Sequence, residues 1–270
     1  QDAAGDGTHP HADPAGNDGR ERGGRSDGRL STVAKPTAVV FDLDGTLADS
    51  VLDIAGALNA TLRDARLGTI EPDAVRLMIG RGPDVLVQRA LRHIGVIPDR
   101  ALVDRLTDGF VTNHHRLGNH KTTLFPGVRR CLVELRDKGI LVGVCSNKPD
   151  ELCGELLDEL QITQLVQATQ GSSKTVPRKP DPTMLQTVLD SLGAGRETAV
   201  YVGDSKTDLE TGRAAAVPVV LVTYGYSDVP AANLGADLVL DTLDALPARL
   251  ESINSNRTAT DPPPLRSATP

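Results

Sequence analysis

Ala38-Val39-Val40-Phe41-Asp42-Leu43-Asp44-Gly45-Thr46-Leu47 is the stretch whose reading decides the fold. Four consecutive apolar residues, two of them β-branched, read as a strand buried on both faces. Such strands belong to parallel sheets covered by helices. The strand delivers two carboxylates, Asp42 and Asp44, into a glycine turn. Carboxylates two positions apart on a strand point the same way and repel, so their coexistence invites a cation that prefers oxygen ligands. Mg2+ is the expected metal.

Outward from this run, short apolar segments at 38–42, 140–146, 199–204, 219–223 and 237–240 read as strands, separated by helical patterns. This alternation implies an α/β fold with a doubly wound parallel sheet. Residues 43–139 break the rhythm, since they carry helical periodicity and no convincing strand. A first helix is expected near Ser50, with Val51, Ala55, Leu58 and Leu62 on one stripe, and further helices over Pro83–His93 and 99–117. A helical insertion after the first strand lies over the carboxyl edge of the sheet, where such folds bind ligands. The expected organisation is an α/β core from 36–50 and 122–251, an α-helical cap from 51–121, and disordered tails at 1–35 and 252–270. The first tail is rich in Gly, Asp, Arg, His and Pro and has few apolar side chains to offset the entropy of ordering.

Composition narrows the function. The chain has 270 residues, 39% hydrophobic, with three Phe, three Tyr and no Trp, so its core is built from aliphatic side chains. The dearth of stacking platforms and a net charge of −7 argue against nucleic acid as a partner. No segment approaches the roughly 20 apolar residues needed to cross a bilayer, and no secretion signal is evident, so no membrane partner and a cytoplasmic location are expected. Cys131, Cys145 and Cys153 form an odd set without metal-ligand spacing and read as packing residues in a reducing compartment. His114, His115 and His120 also lack paired ligand spacing and read as exposed helix and loop residues.

Polar groups follow each strand. Besides Asp42 and Asp44 there are Ser146-Asn147-Lys148, the loop Arg178-Lys179-Pro180-Asp181-Pro182, and Asp204-Ser205-Lys206-Thr207-Asp208. Strand ends of one sense share an edge, so residues far apart in sequence meet in one crevice. Asp181-Pro182 reads as a helix N-cap and first-turn proline that aims Lys179 back at that crevice. Carboxylates for a hard cation, with a lysine and a hydroxyl for anionic oxygens, describe a site for a phosphoryl group and Mg2+.

These segments, in this order, resemble the four motifs of the haloacid dehalogenase superfamily. Within it, Ile79-Gly80-Arg81-Gly82-Pro83-Asp84-Val85-Leu86, Leu124-Phe125-Pro126-Gly127-Val128, Cys145-Ser146-Asn147-Lys148-Pro149 and Leu221-Val222-Thr223-Tyr224-Gly225-Tyr226 resemble bacterial phosphoglycolate phosphatases. Gly171-Ser172-Ser173-Lys174 departs from the Gly-Gly-Asp run that relatives often carry before the lysine loop. The resemblance implies a Rossmannoid core and a small helical cap. It implies Asp42 as nucleophile, Asp44 as general acid and base, and Mg2+ held by Asp42, the Asp44 backbone carbonyl and Asp204, with Asp208 nearby. Thr46, Ser146, Asn147 and Lys179 would contact the phosphoryl group. Gly80 and Gly82 make either an interhelix turn or a substrate loop in which Arg81 reaches a carboxylate. The expected activity is hydrolysis of 2-phosphoglycolate by a monomer or homodimer. Alternatives are a phosphatase for another small phosphate or pyrophosphate, a sugar phosphomutase, and a non-enzymatic phospho-Asp receiver, which would have no need of a helical lid.

Overall fold

The computed structural model describes residues 35–257. In chain order the strands are β1 (Ala38–Phe41), β2 (Ala48–Asp49), β3 (Thr123–Leu124), β4 (Leu141–Pro149), β5 (Ala168–Ser172), β6 (Ala199–Gly203), β7 (Val219–Val222) and β8 (Leu238–Leu240). Six of them form a sheet in the order β5-β4-β1-β6-β7-β8, and every neighbouring pair is parallel. This is the doubly wound α/β sheet expected from the sequence. β1 sits in the middle, so Asp42 and Asp44 leave the sheet beside the ends of β4 and β6, where the strand order reverses.

The helices are α1 (Val51–Asp64), α2 (Pro72–Arg76), α3 (Pro83–His93), α4 (Arg100–Leu117), α5 (Val128–Asp137), α6 (Asp150–Glu159), α7 (Thr183–Leu192), α8 (Lys206–Ala214) and α9 (Leu246–Arg257). Strand alternation divides them between the two faces. Val39, Phe41, Val142, Val144, Val200 and Val202 meet Cys131 and Leu135 of α5, Cys153 and Leu156 of α6, and Leu246 and Leu250 of α9. Val40, Cys145 and Tyr201 face Met184, Leu185 and Val188 of α7. All three cysteines are buried and free, as their reading as packing residues requires.

A separate apolar cluster joins Ile54, Leu58 and Leu62 of α1 to Val75, Leu86, Leu91, Val103, Leu106 and Phe110. The inserted helices therefore have their own core above the sheet edge. The chain passes into and out of them through the antiparallel pair β2 and β3.

Several local expectations change. β5 is not among the strands expected from the sequence, because it is an edge strand with the polar sequence Ala-Thr-Gln-Gly-Ser and little buried surface. Helix α7 begins one residue later than Asp181-Pro182 suggests. Pro182 takes the N-cap position, and Asp181 Oδ1 accepts from the backbone N–H of Thr183 at 2.9 Å. The C-terminal tail expected from 252 overlaps α9, which runs to Arg257 with Ile253 buried in the sheet's core, and its remainder, 258–270, lies outside the described residues. Of the N-terminal tail expected over 1–35, residues 1–34 lie outside the described residues, and Lys35 is exposed.

Candidate active site

Asp42 follows β1 directly, and its N–H donates to the Val202 carbonyl at 2.8 Å, which fixes it against β6. Lys179 Nζ lies 2.8 Å from Asp42 Oδ1, an ion-pair distance, and donates to Asp208 Oδ1 at 2.8 Å and to the Tyr201 hydroxyl at 3.0 Å. Burial pushes the Asp42 carboxyl up to about 6, with Lys179 acting in the opposite direction and Asp208 adding to the rise. Burial opposes the charge on Lys179, but Asp208 and Asp42 outweigh it and raise the ammonium above its ordinary value.

Asp208 is held from every side. Tyr201 donates to Oδ1 at 2.9 Å, while the Ser205 hydroxyl and the Ser205 and Asp204 N–H groups donate to Oδ2 at 2.6, 3.1 and 3.3 Å. Burial works against its charge, yet Lys179 and the Ser205 and Tyr201 hydrogen bonds hold its carboxyl below the ordinary carboxylate value. By reaching back from the third position of α8 to the Ser205 N–H, Asp208 also caps that helix. Its role is to anchor Lys179 and the turn that carries Asp204.

Asp204 directly follows β6 and is cradled by two glycines. A Cβ on Gly45, whose φ is +92°, would lie 2.7 Å from Asp204 Oδ2, and one on Gly225 would lie 2.1 Å from Asp204 Cβ. Tyr226 N–H donates to Asp204 Oδ2 at 2.6 Å and Thr46 Oγ1 to Oδ1 at 3.3 Å. Thr46 is thus fully buried against Asp204 rather than presented to a cavity. Burial, with Asp208 and Asp42 nearby, raises the Asp204 carboxyl well above its ordinary value.

Asp42, Asp204 and Asp208 each bring a carboxylate oxygen within 4.8 Å of the others, all buried. Three buried carboxylates facing one lysine leave negative charge uncompensated, and an all-oxygen donor set suits a hard divalent cation. The residues fit Mg2+.

Asp44 accepts from the Ser50 hydroxyl at 2.6 Å, and Lys148 Nζ lies 3.4 Å from its Oδ1. Together with Asp42 it floors a small chamber of about 40 Å³ beneath the inserted helices. Ser146 and Asn147 line one wall, and Ile54, Ile79, Leu86 and Phe110 form the roof. The Asn147 side chain ties three segments together, donating to the Gly80 and Lys179 carbonyls at 3.1 Å each and accepting from Lys179 N–H at 2.9 Å. Arg81 is exposed and lines a wider cleft of about 600 Å³ that also reaches Asp44 and Asp204.

Two polar residues of the chamber, Lys148 and His114, are not among the site residues expected from the sequence. Lys148 is two positions beyond Ser146 on the same strand, so period-2 alternation already put both on one face. His114 overturns its expected exposure. It is 1% exposed, stands edge-on to Phe110, and places Nε2 3.5 Å from Lys148 Nζ. Burial and the Lys148 charge push its pKa down to about 4. His115 is half-buried and paired with Glu155, and His120 is exposed.

The model of the family of haloacid dehalogenase-like hydrolases matches residues 39–222. The chain belongs to that family. It is 39% identical to a phosphoglycolate phosphatase of Rhodospirillum rubrum over 78% of this chain and 89% of that protein. It is 34% identical to a phosphoglycolate phosphatase of Agrobacterium fabrum over 82% of this chain and 95% of the relative. Among solved structures, that of a predicted phosphoglycolate phosphatase from Haemophilus somnus superposes with a TM-score of 0.72 at 27% identity, covering 78% of this chain and 96% of the other. This haloacid dehalogenase-like hydrolase is an enzyme of the phosphatase kind, and its buried carboxylates can hold a divalent metal. Among the described residues, no helix is long and apolar enough to cross a membrane.

Proposed function

We propose that this chain hydrolyses 2-phosphoglycolate to glycolate and phosphate through a phosphorylated Asp42. The observation that carries the reading is the pair of adjacent buried carboxylates in unlike surroundings. Asp42 stands against Lys179, Asp44 against Ser50 and Lys148, and both open into a chamber sized for a small leaving group.

The Asp42 carboxylate attacks phosphorus, and the bond to the ester oxygen breaks as the aspartyl-phosphate forms. Asp44, oriented by the Ser50 hydroxyl, gives its proton to the departing glycolate oxygen. Asp44 then takes a proton from a water that attacks the same phosphorus, releasing inorganic phosphate and restoring Asp42. Ser146, the Asn147 backbone N–H and Lys179 hold the phosphoryl oxygens as charge develops on them. Asp42, the Asp44 backbone carbonyl and Asp204 would hold Mg2+, with Asp208 behind them. When bound, the cation neutralises the phosphoryl oxygens and the crowded carboxylates. The inserted helices exclude bulk water from the chamber. The buried free cysteines suit a reducing cytoplasm.

The test is phosphate release from 2-phosphoglycolate, sugar phosphates and pyrophosphate, with and without Mg2+, for the wild type and Asp42→Asn. Mg2+-dependent turnover highest on 2-phosphoglycolate and lost in Asp42→Asn supports the reading. Higher turnover of another compound refutes the substrate, and full activity in Asp42→Asn refutes the nucleophile.

A further inference from the structure

Lys148 is a buried lysine without a short bond. Its Nζ lies 3.4 and 3.5 Å from the two Asp44 oxygens and 3.5 Å from His114 Nε2, all at the outer limit of hydrogen bonding. Lys179, also buried, on the loop between β5 and α7, makes contacts of 2.8, 2.8 and 3.0 Å. A desolvated ammonium is destabilising unless a partner compensates it closely. Among the described residues lining the chamber it is the one Lys or Arg side chain, the other basic group being His114, whose pKa burial and Lys148 push down. An ammonium has no lone pair to offer, so His114 Nε2 can serve Lys148 only as an acceptor, with Nδ1 buried and without a hydrogen-bond partner. His114 therefore steadies Lys148 from the cap without competing for an anion.

The remaining lining limits what can enter. Ile54, Ile79, Leu86, Phe110 and Leu152 offer no polar atoms from their side chains. A volume of about 40 Å³ holds roughly three water-sized groups, the scale of a carboxylate on a single carbon. Arg81, the other candidate for a carboxylate, lines the wider cleft instead.

Resting on the 2-phosphoglycolate reading above, we propose that Lys148, positioned by His114, binds the substrate's carboxylate and is the residue that selects phosphate esters of small acids. Asp42 and Asp44 work on the phosphoryl end, and Lys148 grips the far end of the same two-carbon molecule.

The test compares kcat/KM for 2-phosphoglycolate with that for 2-hydroxyethyl phosphate, which has an alcohol in place of the acid, in the wild type, Lys148→Met and Lys148→Arg. The panel also includes 3-phosphoglycerate against glycerol 3-phosphate. The ratio within each pair, taken from one preparation, does not depend on how much of it is folded. Lys148→Met is expected to lower the acid-to-alcohol ratio by about tenfold to a hundredfold, mostly through KM, as loss of a charged hydrogen bond implies. Lys148→Arg is expected to keep part of that preference. An unchanged ratio in Lys148→Met, or equal losses on both members of a pair, overturns the proposal and leaves the phosphoglycolate reading standing. A wild type that prefers a different acid ester, with the preference erased in Lys148→Met, keeps Lys148 and overturns 2-phosphoglycolate. A wild type without any acid preference overturns both.

Discussion

Replacing Gly225 by alanine tests how Asp204 is placed. The added Cβ would lie 2.1 Å from Asp204 Cβ, 2.4 Å from Oδ2 and 2.6 Å from Cγ. Ordinary carbon contacts need about 3.5 Å, so one segment must retreat by more than about 1 Å. Asp204 Cβ cannot swing away as a long side chain would, because it is attached to the end of β6 and its carboxylate is held by Tyr226 N–H and Thr46. Overpacking of this kind costs roughly 1–3 kcal/mol. For a chain of this length each kcal/mol lowers Tm by about 2–4 °C, so a fall of several degrees is expected. Mg2+ demands near-ideal ligand positions, and a displaced Asp204 should raise the Mg2+ concentration for half-maximal activity by about tenfold or more. The assays are thermal unfolding and phosphate release titrated with Mg2+. Gly154→Ala is the control, being mid-helix in α6 with nothing within 4 Å of its Cβ, and should stabilise by about 0.4–1 kcal/mol. If Gly225→Ala melts with the wild type and titrates identically, the loop around Tyr226 does not set the position of Asp204.

Acid should destabilise the fold through His114. Its pKa is lowered from 6.5 to about 4 by burial and Lys148, so below pH 6.5 the unfolded chain takes up a proton that the native state refuses. Stability present above that pH is lost as pH falls toward 4, amounting to about 2 kcal/mol between pH 7.5 and 5. The raised carboxyls of Asp42 and Asp204 act in the opposite sense over this range, so the His114 contribution is read as the difference between the wild type and His114→Gln in urea unfolding at the two pH values, and an equal pH response in the two proteins would refute it. Arg178 of the lysine loop pairs with Asp84 at the start of α3 through two hydrogen bonds, tying the inserted helices to the sheet edge. Both side chains are a third exposed, so the pair is worth only about 1 kcal/mol. Asp84→Asn should therefore raise KM a few-fold with kcat within about twofold, and steady-state kinetics showing equal KM would rule out this tether. The cysteines should resist iodoacetamide in the native protein, because burial pushes Cys131 and Cys145 up to about 12 and raises Cys153 as well. Mass spectrometry should find three alkylations only after unfolding.

Each feature that sequence made legible is one that local pattern controls. A strand buried on both faces has no polar positions, so 38–41 and 199–203 declare themselves, and parallel topology then forces their ends together. β5 hides because an edge strand held by its backbone needs no apolar run. The end of α9 hides for a related reason. Leu246, Leu250 and Ile253 repeat at helical spacing, but the intervening Glu251 and Ser252 make the segment read as polar tail.

His114 could not be placed by its own neighbours in sequence, because its burial depends on α4 docking against the end of β4, a contact between segments with independent cores. Lys148 is the intermediate case. Strand alternation fixes its direction toward Ser146's side, and only the cap determines that the ammonium is shut away from water. Its charge then has to be answered inside the chamber, by Asp44 at long range or by what the chamber takes in. The two acids proposed for catalysis are thus written into one strand end, whereas the proposed selectivity rests on contacts between that end and the inserted helices.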